Sequence, residues 1–278
     1  MKIALLISGR AARYEVCLLP MLENTKHEID IFMSINDENT DCEYYKEMRN
    51  TLSKWLKKCV ISKYEIPQSF IDVFKPKVHW ICLQKINENW LPMNVLSMYA
   101  NDKIAFNYAT TYADENNFEY DCYMKYRTDM ILDNVFEEIP IGDNVLYTAD
   151  PVCYFQTHGI HKVTDITDDN WIWGTRGMMQ KWSGVYDYIL EMNIKYNGEY
   201  YIAYEDSITD YIIDKEIPYT TFHYKYGLDR NRRIFDKQWD NAGTDACLDI
   251  RKHNIAGALP TIDIKTVTDT KYIHTSIQ

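Results

Sequence analysis

Residues 121–134 read DCYMKYRTDMILDN and place Arg127, Thr128 and Asp129 inside a run of mostly apolar and aromatic residues. Because side chains alternate along a strand, a strand here points Arg127 and Asp129 to one face and Thr128 to the other. An arginine beside a carboxylate at the end of a buried strand either pairs with the protein's own charges or holds a charged ligand. At the surface, an Arg–Asp pair would be weak and would need no further explanation. The apolar residues on both sides argue against a surface position and therefore favour a ligand.

The chemistry that these two side chains offer is recognition of a diphosphate and its neighbouring groups. The Arg127 guanidinium can neutralise phosphate oxygens, and the Asp129 carboxylate can bind a hard divalent cation or accept a hydrogen bond from a ribose hydroxyl. Arg10 and Arg13 follow the first predicted strand at the start of a predicted helix, where backbone N–H groups favour an anion. Surface arginines at a solvated helix start are the alternative interpretation.

The composition of the 278 residues limits the classes of protein. A net charge of −11 argues against a nucleic-acid-binding protein, which needs a basic face. No apolar run approaches the roughly 20 residues of a membrane span. The apolar run Ile3–Ile7 is too short for the core of a signal peptide. The seven cysteines are scattered without a CxxC pair, which predicts reduced thiols in a cytoplasmic protein.

Several nucleotide-binding and catalytic motifs are absent from the sequence. It contains no GxxxxGK[ST] loop, no GxGxxG after a predicted strand, no HExxH and no GxSxG. His158 and His161 have no cysteine or carboxylate at a spacing that would complete a metal site. The 23 tyrosines and seven tryptophans suit sugar faces and nucleobases, but they are also ordinary core residues.

The order of the predicted elements indicates an α/β fold. In the first half, predicted strands alternate with predicted helices: strands at 2–8, 28–35, 77–83 and 121–132, and helices at 12–24, 41–59 and 93–114. Such alternation produces a mainly parallel sheet covered by helices, which binds its ligands at the carboxyl ends of the strands. In the second half the order is less regular, with strands at 145–150, 152–155, 165–175 and 219–227 and helices at 176–192 and 201–217.

The stretches MKIALLISGRAARYE, EIDIFMSIND and SMYANDKIAFNYATTYADENNFEYDCYMKYRTDMIL together resemble GT-A-type glycosyltransferases. Within that group they are similar to the small enzymes that build bacterial capsule and lipopolysaccharide, which have relatives in large DNA viruses. The third stretch carries Arg-x-Asp where other GT-A enzymes carry Asp-x-Asp. DDNWIWGTRGMMQKW and YEDSITDYI are weaker matches to acceptor-side segments. The resemblance implies a GT-A-like, mainly parallel central sheet flanked by helices, with a less regular C-terminal acceptor-side half.

The resemblance also implies transfer of a sugar from a nucleotide-diphosphate sugar to a hydroxyl of a glycan or glycoconjugate, as in polysaccharide biosynthesis. The residues expected to bind the donor are Ser8, Gly9, Arg10, Arg13, Lys103, Arg127 and Asp129. Because negative charge grows on the departing diphosphate, cations held there would stabilise the transition state. Participation of Mn²⁺ or Mg²⁺ stays open, because Arg127 replaces the first acidic residue of the usual motif. Asp129 and His223 would be the ligands of such a metal ion.

The acceptor side has its own candidate residues. An inverting enzyme needs a base for the acceptor hydroxyl, and Glu205 and Asp206 are the candidates. An acidic pair that the helix dipole favours at a helix start is the alternative. Trp171 and Trp173 are the candidates for stacking on an acceptor sugar, with core packing as the alternative for both of them and for His223.

The expected organisation is a catalytic domain over residues 1–225, with a nucleotide-sugar half at 1–135 and an acceptor half at 136–225. Residues 226–278 would form an extension packed on the same domain. Its basic stretch DRNRRIFDKQW can contact a diphosphate or an anionic membrane that carries the acceptor, or can be a solvated helix. Two other functions stay open: a nucleotidyl- or phosphotransferase on a similar sheet, and a non-catalytic glycan-binding protein with a degenerate transferase fold.

Overall fold

The computed structural model describes residues 1–9, 11, 13–37, 42–75, 90–132, 139–149, 160–161, 170–222 and 226–228. Its strands are β1 Lys2–Gly9, β2 Glu28–Asn36, β3 Leu56–Ser62, β4 Cys122–Tyr126, β5 Met130–Leu132, β6 Leu146–Ala149, β7 Ile172–Gly174, β8 Tyr219–Phe222 and β9 Tyr226–Leu228. Its helices are α1 Leu19–Asn24, α2 Glu43–Thr51, α3 Gln68–Ile71, α4 Trp90–Glu115, α5 Arg176–Trp182, α6 Val185–Lys195 and α7 Tyr204–Asp214, with a π-helical turn at Tyr14–Leu18 directly before α1.

Seven of these strands form one sheet in the order β3-β2-β1-β4-β7-β6-β8. The first four strands of that order are parallel, β7 is antiparallel to its neighbours β4 and β6, and β8 is parallel to β6. A separate two-stranded sheet pairs β5 with β9 in antiparallel fashion. The predicted fold class, a mainly parallel α/β sheet flanked by helices, is confirmed. It is the architecture that the resemblance to GT-A-type transferases implies.

Both faces of the central sheet are buried, which explains why β1 and β2 read as nearly continuous apolar runs. Along β1, Ile3, Leu5 and Ile7 enter the core on one face, while Ala4 and Leu6 enter the core on the other. The first face is covered by the π-helical turn, α1 and α2, and the second by α4 and the helices of the second half.

The 26-residue helix α4 runs antiparallel to the parallel strands. Near its start, Ser97 contacts Asn36 at the carboxyl end of β2, whereas Asp121, just after the helix, accepts a hydrogen bond from the Lys2 backbone N–H at the amino end of β1. The helix therefore connects the two edges of the sheet. Within the described part of the chain, no helix is long and apolar enough to span a membrane.

The prediction of one helix over residues 41–59 is wrong in its second half. Tyr45, Met48 and Leu52 do lie on one buried helical face, but α2 ends at Thr51 and the chain then forms β3. The backbone of β3 completes the edge of the sheet beside β2. This tertiary pairing overrides the helical spacing that continues to Leu56. The strand predicted at 77–83 lies outside the described residues.

Three further predicted elements are divided in the structure, and one of them is the strand predicted over 219–227, which becomes β8 in the central sheet and β9 in the other sheet. The strand predicted over 121–132 ends at Tyr126, and the chain turns before β5 joins the other sheet. The turn carries a hydrogen bond of 3.2 Å from the Met130 N–H to the Arg127 carbonyl. The helix predicted over 176–192 is divided into α5 and α6 at Ser183 and Gly184. The prediction at 121–132 fails because both parts are apolar, so the break is not visible in hydrophobicity.

Candidate functional site

The carboxyl ends of β1, β2 and β4 meet at one edge of the sheet. β1 lies between the other two strands in parallel register, with Ser8 opposite Ser34 on β2 and Ile7 opposite Tyr126 on β4. The segments that follow these strands therefore start side by side. Open α/β sheets bind their ligands at this edge.

Gly9, which ends β1, and Arg13, which precedes the π-helical turn, both have a left-handed backbone conformation. Their φ angles are +79° and +65°, in the left-handed region that glycine adopts freely and that costs energy for arginine. The Arg13 carbonyl accepts hydrogen bonds from the N–H groups of Val16 and Cys17 at 3.1 and 3.0 Å, so Arg13 begins the π-helical turn. Arg13 thus lies at a helix start close to the end of β1, as predicted, while Arg10 lies outside the described residues.

Helix α4 presents polar side chains to the carboxyl ends of the strands. Ser34 Oγ donates to Asn101 Oδ1 at 2.6 Å, and Asn36 Nδ2 donates to Ser97 Oγ at 2.6 Å. Because buried polar groups must replace their lost hydrogen bonds to water, these contacts fix α4 against the strand ends. We call this set the polar seam; its members are Ser8, Ser34, Asn36, Ser97, Asn101, Asp102 and Lys125.

The polar seam contains a buried ion pair. Lys125 Nζ lies 3.0 Å from Asp102 Oδ2, and each side chain is only 2% exposed. The Ser8 hydroxyl donates to Asp102 Oδ1, so one carboxylate contacts the ends of β1 and β4 together. The rings of Tyr99 and Trp182 each lie 5.5 Å from Lys125 Nζ, a favourable distance for a cation–π interaction.

Arg127 and Asp129 form a two-point pair across the turn after β4. Nε and Nη2 of Arg127 each donate to a different Asp129 oxygen at 2.8 Å, the strong bidentate geometry of arginine and carboxylate. The Arg127 side chain is 31% exposed and the Asp129 side chain 15%. Burial raises the pKa of Tyr126, so its hydroxyl stays protonated and donates to the Met130 carbonyl at 3.0 Å. The predicted pair therefore does meet, but across a turn and not along a strand.

The described residues do not by themselves fit a divalent cation at Asp129. Both Asp129 oxygens accept hydrogen bonds from Arg127. In the described part of the chain, no group of three His, Cys, Asp or Glu side chains is placed to hold a metal ion. His223, the other predicted ligand, lies outside that part. At phosphate sites Mg²⁺ usually takes only one or two protein carboxylates and completes its coordination with substrate phosphates and waters, so a metal role for Asp129 stays a prediction.

Lys103 is not brought together with Ser8 and Arg127. Its Nζ lies 2.6 Å from Asp187 Oδ2 on α6, at a cleft of about 320 Å³ between α4 and the α5–α6 pair. At the same cleft, Arg176 Nη1 lies 2.6 Å from Asp114 Oδ1. Both cations are paired with carboxylates on α4 and α6 in this cleft, and neither is paired with a described residue of the segments that follow β1 and β4. The prediction fails for Lys103 because consecutive helical residues point about 100° apart, and Asp102 occupies the face toward the sheet.

Trp171 and Trp173 are core residues in the structure. Neither has any exposed surface, and their ring centroids lie 4.8 Å apart. Trp173 also stacks on Tyr147 at 5.6 Å and donates from Nε1 to the Pro140 carbonyl at 2.9 Å. Because no ring face is open, neither tryptophan can stack on an acceptor sugar here. Trp171 directly precedes β7 and Trp173 lies within it, and every residue of β7 is buried, so the expectation that these two side chains stack on an acceptor sugar is wrong.

Glu205 and Asp206 lie half-buried in the first turn of α7. The Tyr99 hydroxyl donates to the Tyr204 carbonyl at 2.8 Å, and the same Tyr99 ring faces Lys125. One tyrosine thus connects the start of α7 to the polar seam. The N-terminal turn of a helix favours the ionised form of a carboxylate, which is the form that a base requires.

A second polar cluster lies further along α7 and involves His161. Asp210 accepts hydrogen bonds from the backbone N–H groups of Ile160 and His161 at 2.8 and 2.9 Å. Asp214 accepts one from the Tyr188 hydroxyl at 2.6 Å, and its other oxygen lies 2.6 Å from His161 Nε2. Burial alone would raise the pKa of Asp214, but the interactions with Tyr188 and His161 outweigh it and lower that pKa. Both carboxylates fasten residues 160–161 to α7.

Sequence reasoning missed Asp102 and Lys125. Each has a signal in the sequence: Lys125 is a lysine in the strand CYMKY, and Asp102 follows Asn101 in a largely apolar helix. Alternation along β4 even assigns Lys125 to the face that carries Tyr123, which is the face toward α4. The sequence does not show that the two charges are partners, because that follows from how α4 lies on the sheet.

Comparisons with known proteins give similarities among solved structures but none in sequence. No family model matches the sequence, and a search of curated proteins finds no match. Among solved structures, the apo form of mouse xyloside xylosyltransferase 1 is similar with a TM-score of 0.38 and 12% sequence identity. The match covers 80% of this chain and 85% of the mouse chain.

Proposed function

We propose that this protein is a glycosyltransferase that moves a sugar from a nucleotide-diphosphate sugar to a hydroxyl of a glycan or glycoconjugate. One observation carries the proposal: Gly9 at the end of β1 and the turn at Arg127–Asp129 after β4 lie side by side at the carboxyl edge of parallel strands. A helix start, here at Arg13, together with a guanidinium suits the oxygens of a diphosphate.

In this proposal Arg127 supplies the positive charge for the leaving group. Cleavage of the bond between sugar and phosphate develops negative charge on the departing diphosphate. A guanidinium already held in place stabilises that charge more in the transition state than in the ground state. Asp129 fixes the guanidinium through two hydrogen bonds of 2.8 Å, so its role is to orient Arg127.

Glu205 and Asp206 are the proposed proton acceptors for the acceptor hydroxyl. Their support is their place in the first turn of α7, which Tyr99 connects to the polar seam. Trp171 and Trp173 have no part in the proposed acceptor site, because both are buried. We also retain the cytoplasmic location expected from the scattered cysteines as part of this proposal.

The proposed donor binding does not depend on a divalent cation. Because both Asp129 oxygens already bind Arg127, we propose that donor binding persists without Mn²⁺ or Mg²⁺. A thermal-shift series with UDP-, GDP-, CMP- and dTDP-sugars, each with Mn²⁺, with Mg²⁺ or with EDTA, tests both parts. A donor at 100 times its dissociation constant should stabilise the fold by about 2.7 kcal/mol. A shift that vanishes in EDTA contradicts the subordinate role of the metal.

The same series separates the two other functions. A nucleotidyl- or phosphotransferase would respond to nucleoside triphosphates with a metal and not to nucleotide sugars. A glycan-binding protein would respond to no nucleotide sugar, while still binding glycans on an array. Either result would contradict the proposed glycosyltransferase activity and support the corresponding alternative function.

A further inference from the structure

The polar seam contains an ion pair that folding alone does not require. Lys125 and Asp102 are almost fully buried, with each side chain only 2% exposed. Removing two charges from water is costly, and well-packed apolar residues of the same size often give equal or better stability. The apolar groups already around Lys125 Nζ, including Met98 Sδ at 3.6 Å, would accommodate such a replacement. The stability of the core therefore does not explain why these two positions carry charged residues.

The location of the pair suggests that reason. One Asp102 oxygen accepts a hydrogen bond from the Ser8 hydroxyl, and the other lies beside Lys125 Nζ. Through Asp102, helix α4 therefore connects the carboxyl end of β1 to the carboxyl end of β4. Gly9 follows Ser8 directly, and Arg127 follows Lys125 by two positions. A charged hydrogen-bonded contact is directional, whereas an apolar contact would tolerate sliding of one strand end against the other.

We infer that Lys125 and Asp102 are positioning residues that hold Ser8 and Gly9, at the end of β1, in place beside the Arg127–Asp129 turn after β4. The inference rests on the proposed function where it concerns the donor, because these two strand ends lie at the proposed diphosphate site. The two residues touch neither the donor nor the reacting atoms. They act through Ser8 on one side and through the β4 backbone on the other.

Two double variants separate positioning from stability. Asp102→Leu with Lys125→Met removes both charges and the acceptor of the Ser8 hydroxyl. Asp102→Asn with Lys125→Met removes both charges but keeps that acceptor. The matched control is Asp30→Asn with Lys57→Met, because Lys57 Nζ lies 3.1 Å from Asp30 Oδ1 near the start of β2, at the other edge of the same sheet.

Hydrogen exchange tests the positioning without any ligand. In the Asp102→Leu, Lys125→Met protein, we expect amide exchange in peptides covering Gly9 and Arg127 to speed up about tenfold, with little change in α6. The control pair should leave both peptides as in the wild type. If exchange at Gly9 and Arg127 is unchanged in the folded variant, the inference is wrong. If this variant does not fold, the Asp102→Asn, Lys125→Met protein decides at Arg127 alone, because it loses the contact to β4 but keeps the one to Ser8. Unchanged exchange at Arg127 in that protein would contradict the inference.

Donor binding tests the connection to function. With the nucleotide sugar that stabilises the wild type, we expect the dissociation constant to rise about tenfold in the Asp102→Leu, Lys125→Met protein. The rise should be smaller in the Asp102→Asn, Lys125→Met protein, whose asparagine keeps the Ser8 contact, and absent in the control. Unchanged affinity would show that the pair has no role in the donor site. If the wild type binds no nucleotide sugar, the proposed function fails, and the exchange experiment still decides whether the pair positions the ends of β1 and β4.

Discussion

Lys125 Nζ lies 3.0 Å from Asp102 Oδ2 inside the core, between the end of β4 and the sheet-facing side of α4. Each charge has lost its water and is compensated mainly by the other. Removing one partner and removing both are therefore different experiments. Removing one partner leaves the other charge buried without compensation, whereas removing both partners leaves no buried charge.

The Lys125→Met variant alone should be strongly destabilised. Because Asp102 would stay buried without its cation, we expect the free energy of unfolding to fall by about 3–5 kcal/mol. Adding Asp102→Asn should restore most of that loss, since the amide oxygen of the asparagine can still accept from Ser8 without carrying a charge. Urea denaturation of the three proteins measures both changes. A single variant as stable as the wild type would mean that the two side chains are not a buried ion pair in solution.

Gly9→Ala should destabilise the protein through the backbone alone. Gly9 has a φ of +79°, and a Cβ there would meet no atom within 4 Å, so the cost is conformational and not steric crowding. We expect a loss of about 1–2 kcal/mol. Gly177→Ala is the matched control, because it also meets open space but lies at an ordinary φ in α5. That change should stabilise the protein by roughly 0.5 kcal/mol, and equal losses at both sites would contradict the left-handed turn at Gly9.

The predictability of this fold from sequence depends on whether an element's partners are local. β1 and β2 are predicted to within one residue at each end, because their apolar runs show burial on both faces. β3 is missed because it is an edge strand with two adjacent lysines, and only its hydrogen bonds to β2 make it a strand. For the site, Arg127 and Asp129 are found because they are neighbours in sequence. Asp102 and Lys125 are missed as a pair because they lie on different elements.

Arg127→Lys should weaken donor binding although it keeps the charge. Lysine cannot reproduce the fork that binds both Asp129 oxygens at 2.8 Å, so the cation would lose its fixed orientation toward a diphosphate. We expect the dissociation constant of the nucleotide sugar to rise at least about tenfold by isothermal titration. Arg176→Lys is the control, since Arg176 binds both Asp114 oxygens at 2.6 Å away from the carboxyl edge. If the two substitutions changed the dissociation constant equally, Arg127 would not be part of the donor site.

The contact between Asp214 and His161 should make stability depend on pH in the acidic range. The pKa of Asp214 in the folded protein is lower than its usual value of 3.8, because Tyr188 and His161 together outweigh the effect of burial. For a carboxylate with a lowered pKa, the unfolded chain takes up the proton first as the pH falls. The stability that ionised Asp214 contributes is therefore present above about pH 4 and is lost as the pH falls through the pKa of the folded state.

The test compares the wild type with Asp214→Asn, which keeps an acceptor for the Tyr188 hydroxyl. Because the Asp214 side chain is 30% exposed, we expect an advantage of the wild type of only about 0.5–1 kcal/mol near neutral pH. This advantage should shrink toward zero near pH 3, since the carboxyl group is then protonated in both states. Tyr188→Phe removes one of the groups that lower the pKa of Asp214, so the folded pKa should move toward the unfolded value, and the loss of stability below about pH 4 should be smaller than in the wild type. A difference between wild type and Asp214→Asn that stays constant from about pH 7 to about pH 3 would show that ionised Asp214 does not contribute through this contact.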